Sequence, residues 1–155
     1  IDDDLRDENT VLTMIRSHIH HCLNQGVLVL GKRAEASLID CEVDHVIDET
    51  HSGSNSTEAS GIQAEWGGQV NLYNTHVHDI EGSAVRVKNC TREISEDEEN
   101  VDDVPASIKV HVSKGSNYNE DEMNRLFAKN VFTFTEHKME WHEEHLWFEL
   151  LGSDN

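Results

Sequence analysis

Three short segments carry imidazoles and carboxylates at matching places. Ile15-Arg16-Ser17-His18-Ile19-His20 recurs as Ile39-Asp40-Cys41-Glu42-Val43-Asp44 and again as Tyr73-Asn74-Thr75-His76-Val77-His78. Laid side by side as neighbouring strands about 4.8 Å apart, they form three rows: Arg16, Asp40, Asn74; then His18, Glu42, His76; then His20, Asp44, His78. In two rows an acid sits between two imidazoles. His with carboxylate is a usual ligand set for zinc and its neighbours. The same arrangement also titrates, since a carboxylate raises the pKa of a nearby imidazole from about 6.5. On an open strand face a solvated charge ladder that fixes register is the preferred reading, each cross-strand pair adding a few tenths to about 1 kcal/mol. No resident metal or cofactor is expected. The face is expected to gain positive charge and stability on mild acidification.

The copies are offset by 24 and then 34 residues. The extra length falls in the polar run 51–59, which reads as a loop inserted in one turn of a repeat of about 24 residues. Within each copy small or apolar residues alternate with polar ones: Ser17, Cys41 and Thr75, then Ile19, Val43 and Val77. Alternation of period two places one face inside and the other in water. A small residue and a short apolar strand follow each copy, at Gly26-Val27-Leu28-Val29, Gly61-Ile62-Gln63-Ala64 and Ala84-Val85-Arg86-Val87. A repeating all-β unit of this size stacks as a solenoid.

From about Val11 to Asn89 the pattern resembles the parallel β-helix repeat of the pectate-lyase-like superfold. That resemblance implies an all-β, right-handed parallel β-helix with coils over 1–115 and loop insertions at 51–59 and 91–104. Ser107-Ile108-Lys109-Val110-His111-Val112 resumes the alternation as a further coil. A solenoid end needs covering. A mixed α/β cap is expected over 116–155, built from a helix at 119–130 that starts on Asn119 and Glu122, with Val131-Phe132-Thr133-Phe134 and Leu146-Trp147-Phe148-Glu149-Leu150-Leu151. Trp141, Trp147 and Phe148 belong to that cap or, alternatively, to a partner-binding patch, because exposed aromatics dominate interface energies.

Charge narrows the partners. The 155 residues carry 31 acidic against 12 basic side chains, a formal net charge of −19. Phosphate backbones and anionic lipids require a basic footprint, so nucleic acid and membrane surfaces are not expected partners. A protein with a basic surface suits the field. No apolar run approaches the roughly 20 residues of a membrane span. No signal peptide is visible, and because the chain begins with Ile1 a fragment of a longer protein is expected.

The remaining motifs are weaker. Cys22, Cys41 and Cys90 are an odd, unspaced set, which argues for a reducing compartment, and Cys41 is expected inside as a small core residue. Asn55-Ser56-Thr57 and Asn89-Cys90-Thr91 match the glycosylation sequon. Ser95, followed by acids in the block 93–103, resembles an acidophilic-kinase site whose modification would deepen the negative charge. His142-Glu143-Glu144-His145 has its imidazoles three apart, whereas a zincin helix needs four.

Polysaccharide cleavage recurs on the pectate-lyase-like superfold, yet no catalytic signature of those enzymes matches residue by residue. The repeats resemble more closely the eukaryotic intracellular β-helix-repeat proteins: the Shc SH2-domain-binding protein and Nessun Dorma group of cytokinesis and the midbody, and, as an alternative, the F-box proteins that select substrates for ubiquitin ligation. This resemblance implies a non-catalytic scaffold module in the cytoplasm. A carbohydrate-binding module and a polysaccharide lyase or hydrolase are the competing readings.

Overall fold

The structure is a computed structural model that describes residues 9–49, 59–88, 105–111, 137–142 and 147–152. The chain cycles through three strand positions. The first round is β1 (Thr10–Ile15), β2 (His18–Leu23) and β3 (Gln25–Leu30). The second is β4 (Ala34–Ile39), β5 (Glu42–Ile47) and β6 (Ser60–Glu65), and the third β7 (Gln69–Tyr73), β8 (His76–Ile80) and β9 (Ser83–Lys88). Each strand pairs in parallel with the strand three places on, giving sheets β1-β4-β7, β2-β5-β8 and β3-β6-β9. β10 (Ser107–His111) pairs in parallel with β7 and opens a fourth round. The described residues are thus all β with no closed barrel, and β1 to β10 pair in parallel.

The repeat offsets are visible in the register: Ile15 lies against Ile39 and Ile39 against Tyr73. Inward columns follow. Ala36, Val70 and Ile108 stack, as do Leu38, Leu72 and Val110, all at most 2% exposed. Val43 over Val77 and Ile62 over Val85 line the other two sheets. Cys41 and Thr75 point inward just after a corner, and each satisfies its polar atom on the backbone: Thr75 Oγ1 donates to the Leu38 carbonyl at 3.0 Å and Cys41 Sγ to that of Ile39 at 3.4 Å. In the first coil the equivalent positions have one neighbour instead of two, and Leu12 is 49% exposed where Ala36 below it is 2% exposed.

The small residue that opens the third strand of each coil has a steric reason. A Cβ on Gly61 would fall 2.5 Å from Val77 Cγ1 and 2.7 Å from the Ala84 carbonyl oxygen, so only glycine lets the backbone close over the core there.

Ala59, the last residue of the expected 51–59 loop, is fully buried, and its carbonyl accepts the Ser83 N–H at 3.0 Å; residues 51–58 and 89–104 lie outside the described residues. One expectation needs correction. The mixed α/β cap is not what the described C-terminal residues form. β11 (His137–His142) and β12 (Trp147–Gly152) are antiparallel strands that extend the first sheet to β1-β4-β7-β10-β12-β11. Pairing with β12 satisfies the N–H and C=O groups along the edge of β10, a need a helix cannot meet. The helix read at 119–130 and the cap segment 131–134 lie outside the described residues. Among the described residues no helix is long and apolar enough to cross a membrane.

Candidate functional site

The imidazoles and carboxylates of the three repeats come together on the sheet β2-β5-β8. Two left-handed backbone positions per coil put them there. The first is a corner, with Arg16, Asp40 and Asn74 at φ 48°, 52° and 47°, turning the chain into the strand. The second interrupts the strand, with His21, His45 and Asp79 at φ 56°, 51° and 52°. Asp, Asn and His tolerate this region better than most side chains. The interruption works like a bulge: it shifts the alternation, so that two consecutive residues leave the core. Inward side chains are therefore three apart, as in Val43 and Val46 or Val77 and Ile80, with Asp44-His45 and His78-Asp79 between them.

The expected rows exist, but the contacts cross them. His18, Glu42 and His76 share one register level and His20, Asp44 and His78 the next. His18 Nε2 meets Asp44 Oδ2, in the other row, and its distance to Glu42 Oε2 is 4.0 Å. His78 Nε2 meets Glu42 Oε1 at 2.6 Å and lies 3.7 Å from Asp44 Oδ2. The diagonal neighbour across a strand pair is within reach of a long side chain, and an imidazole takes that option here. His20 turns away from Asp44: its ring lies 4.5 Å from that of His18, with Nδ1 2.6 Å from Nδ1 of His21.

Asp44 departs most from the reading of an open ladder. Its side chain is 5% exposed, against 46% for Glu42, because the rings of His18 and His45 cover it and each bonds one of its oxygens. Burial pushes the carboxyl up, but hydrogen bonds from His45 and His18 and their charge outweigh it and hold the group at about 2. The carboxyl is therefore held in its charged form at neutral pH. His78 is shifted the other way. The bond to Glu42 raises it above 6.5, burial opposes, and Asp79 and Asp44 add to the rise. Protonated His78 thus favours the folded chain at acidic pH, and this contribution fades as pH climbs through the elevated value.

At the corner Asn74 Nδ2 donates to Asp40 Oδ1 at 2.9 Å. Arg16, Asp40, Asn74 and His76 line, with His18, Glu42 and His78, one shallow concavity open to solvent. All eight residues of the expected ladder therefore lie on one face, seven of them at its surface and Asp44 beneath it.

Sequence reasoning missed His21, His45 and Asp79. Their signal is present in the repeat: apolar residues at a spacing of three, Ile19 to Cys22, Val43 to Val46 and Val77 to Ile80, where plain alternation demands two. Elsewhere, Tyr73 stacks on His111 with ring centroids 4.0 Å apart, and His111 Nε2 donates to Asn71 Oδ1 at 3.2 Å. Burial, aided by the charge of Lys109, pushes His111 down to about 4. Trp147 is the register partner of His111, and Trp141 that of Phe148, so the three expected aromatics sit on β11 and β12 at the edge of this sheet. Ser95 and His145 lie outside the described residues, and His142 ends β11.

No protein-family model, curated protein or solved structure matches the chain.

Proposed function

We propose that the chain is a right-handed parallel β-helix module of a larger intracellular protein and that it binds a protein partner with a basic surface through the face of β2, β5 and β8, without catalysis. One observation carries this reading: the concavity on that face is open to solvent and has Asp40 and Glu42 among its lining residues, beside Arg16 and the imidazoles of His18, His76 and His78. Small-molecule sites are typically deeper and bury most of their ligand. A chain with a net charge of −19 draws cationic surfaces towards such a face. The finer assignment, to cytokinesis and midbody assembly or to substrate selection by an F-box ligase, comes from the resemblance of the repeats to those groups.

A pull-down from dividing-cell lysate tests the reading, comparing the native chain with the double variant Asp40→Lys, Glu42→Lys. Asp44 is left intact because a lysine beneath the imidazoles would break the fold. Chelator is present throughout, and both proteins are first shown to melt cooperatively. Loss of at least tenfold of a retained protein on charge reversal is expected; cytokinesis components among the lost proteins favour the first group and ubiquitin-ligase subunits the second. Equal retention by the two chains overturns the reading. So does retention of glycoproteins alone, which transfers the function to sugar.

A further inference from the structure

Two imidazole nitrogens face two carboxylates from opposite sides of one strand. His18 approaches from the first coil and His78 from the third, while Glu42 and Asp44 stand two residues apart on β5 between them. The ligand atoms of His18, Glu42 and Asp44 lie within 4.8 Å of one another, and His78 Nε2 reaches both carboxylates at 2.6 and 3.7 Å. A nitrogen lone pair and a carboxylate oxygen repel at such distances unless a positive centre, a proton or a metal ion, lies between them. We propose that His18, Glu42, Asp44 and His78 form a binding site for a divalent transition metal ion of the zinc class.

Donor chemistry supports zinc over calcium or magnesium. Imidazole nitrogen suits zinc and its neighbours, whereas calcium and magnesium take oxygen ligands almost exclusively. With zinc–nitrogen and zinc–oxygen bonds of about 2.0–2.2 Å, tetrahedral ligand atoms stand about 3.4 Å apart. The observed separations bracket that value, with 4.0 Å for His18 to Glu42 and 3.7 Å for His78 to Asp44 on one side and 2.6 Å for His78 to Glu42 on the other. His18, Glu42 and Asp44 form the mutually close set, and His78 joins it through the two carboxylates.

The groups behind the ligands point the same way. His78 Nδ1 lies 2.7 Å from Asp79 Oδ2, so a ring with its proton on Nδ1 donates to Asp79 and turns its Nε2 lone pair to the two carboxylates. A carboxylate on the far nitrogen of a ligating histidine is the usual support in metal sites. His45 Nδ1 in turn fixes Asp44 Oδ1, which aims Oδ2 at the shared centre. Both supports occupy the left-handed positions of their coils, so the same backbone device that makes the bulge also builds the surroundings of the site. The site stands independently of the partner proposed above, since it needs only this chain.

The test is equilibrium dialysis and calorimetry of the chelator-stripped full chain with zinc ion, with cobalt ion as a spectroscopic probe. One zinc per chain is expected, with intense visible absorption of tetrahedral cobalt. Asp44→Asn and His78→Ala should each weaken binding at least tenfold, and Asp79→Asn, which touches no ligand atom directed at the metal, by about tenfold. The double variant His142→Ala, His145→Ala should leave binding unchanged. Circular dichroism of each variant confirms that it is folded, and Glu42→Gln serves as the ligand variant if Asp44→Asn fails that check. Absence of stoichiometric zinc binding overturns the proposal, as does a bound zinc that is lost with His142 and His145 but kept in the His78 variant. Either failure leaves the pull-down result standing, because chelator is present there.

Discussion

Replacing Leu72 by Ala is expected to destabilise the chain by about 3 kcal/mol, within the 2–5 kcal/mol range of such truncations in closed cores. Leu72 is 1% exposed, held between Leu38 of the coil before and Val110 of the coil after. Neither column neighbour can collapse into the space, because each is fixed by its own strand ladder. In a stack of coils every layer depends on the layers it touches, so the loss reaches both the second round and β10. Leu28→Ala is the matched control. Leu28 sits between the inward Val27 and Val29 but is itself 47% exposed, and its truncation should cost less than about 1 kcal/mol. Denaturant midpoints of the two variants give the comparison. Equal losses would mean that the inward and outward faces of these strands are assigned wrongly.

The second large effect concerns acid. Asp44 has a folded pKa of about 2 against an ordinary 3.8, so its carboxylate stabilises the folded chain above pH 4 and loses that contribution as pH falls towards 2. The gap corresponds to about 2 kcal/mol. Asp44→Asn keeps the shape and removes the titration. In chelator-treated protein the difference in unfolding free energy between native and Asp44→Asn chains should therefore be largest near pH 5 and shrink by about 2 kcal/mol by pH 2. A difference that stays flat over that interval would show that the imidazoles do not hold the carboxylate in its charged form. The other acidic groups titrate in both chains and cancel in the difference.

The repeat alignment made much of this legible beforehand. Offsets of 24 and 34 residues gave the pairing of Ile15 with Ile39 and of Ile39 with Tyr73, and the inward places of Cys41, Thr75, Val43 and Val77 follow from alternation. Cys41 is a free, buried thiol held on the backbone, as its column implied. What alternation could not give was the left-handed residue in the middle of β2, β5 and β8. Backbone angles follow no hydrophobic period, and a His or Asp there looks like any other polar residue. Missing it hid His45 and Asp79, and with them the reason Asp44 is covered while Glu42 stays half exposed. The diagonal pairing was equally hidden, since register fixes which residues are level but side-chain length and rotamer decide which ones touch. At the C-terminal end the run from Trp147 belongs to a strand that pairs along the edge of β10, where the need to cover a solenoid end had implied a mixed α/β cap.

The joining of three coils at one point is tested most directly by the titration of His78, followed by two-dimensional NMR of its imidazole in the chelator-treated chain. A midpoint above 6.5 is expected. Glu42→Gln should lower that midpoint, because the 2.6 Å bond to Glu42 is the largest cause of the rise. A midpoint at or below 6.5 that Glu42→Gln leaves unmoved would contradict the meeting of β5 and β8 side chains on which the site depends.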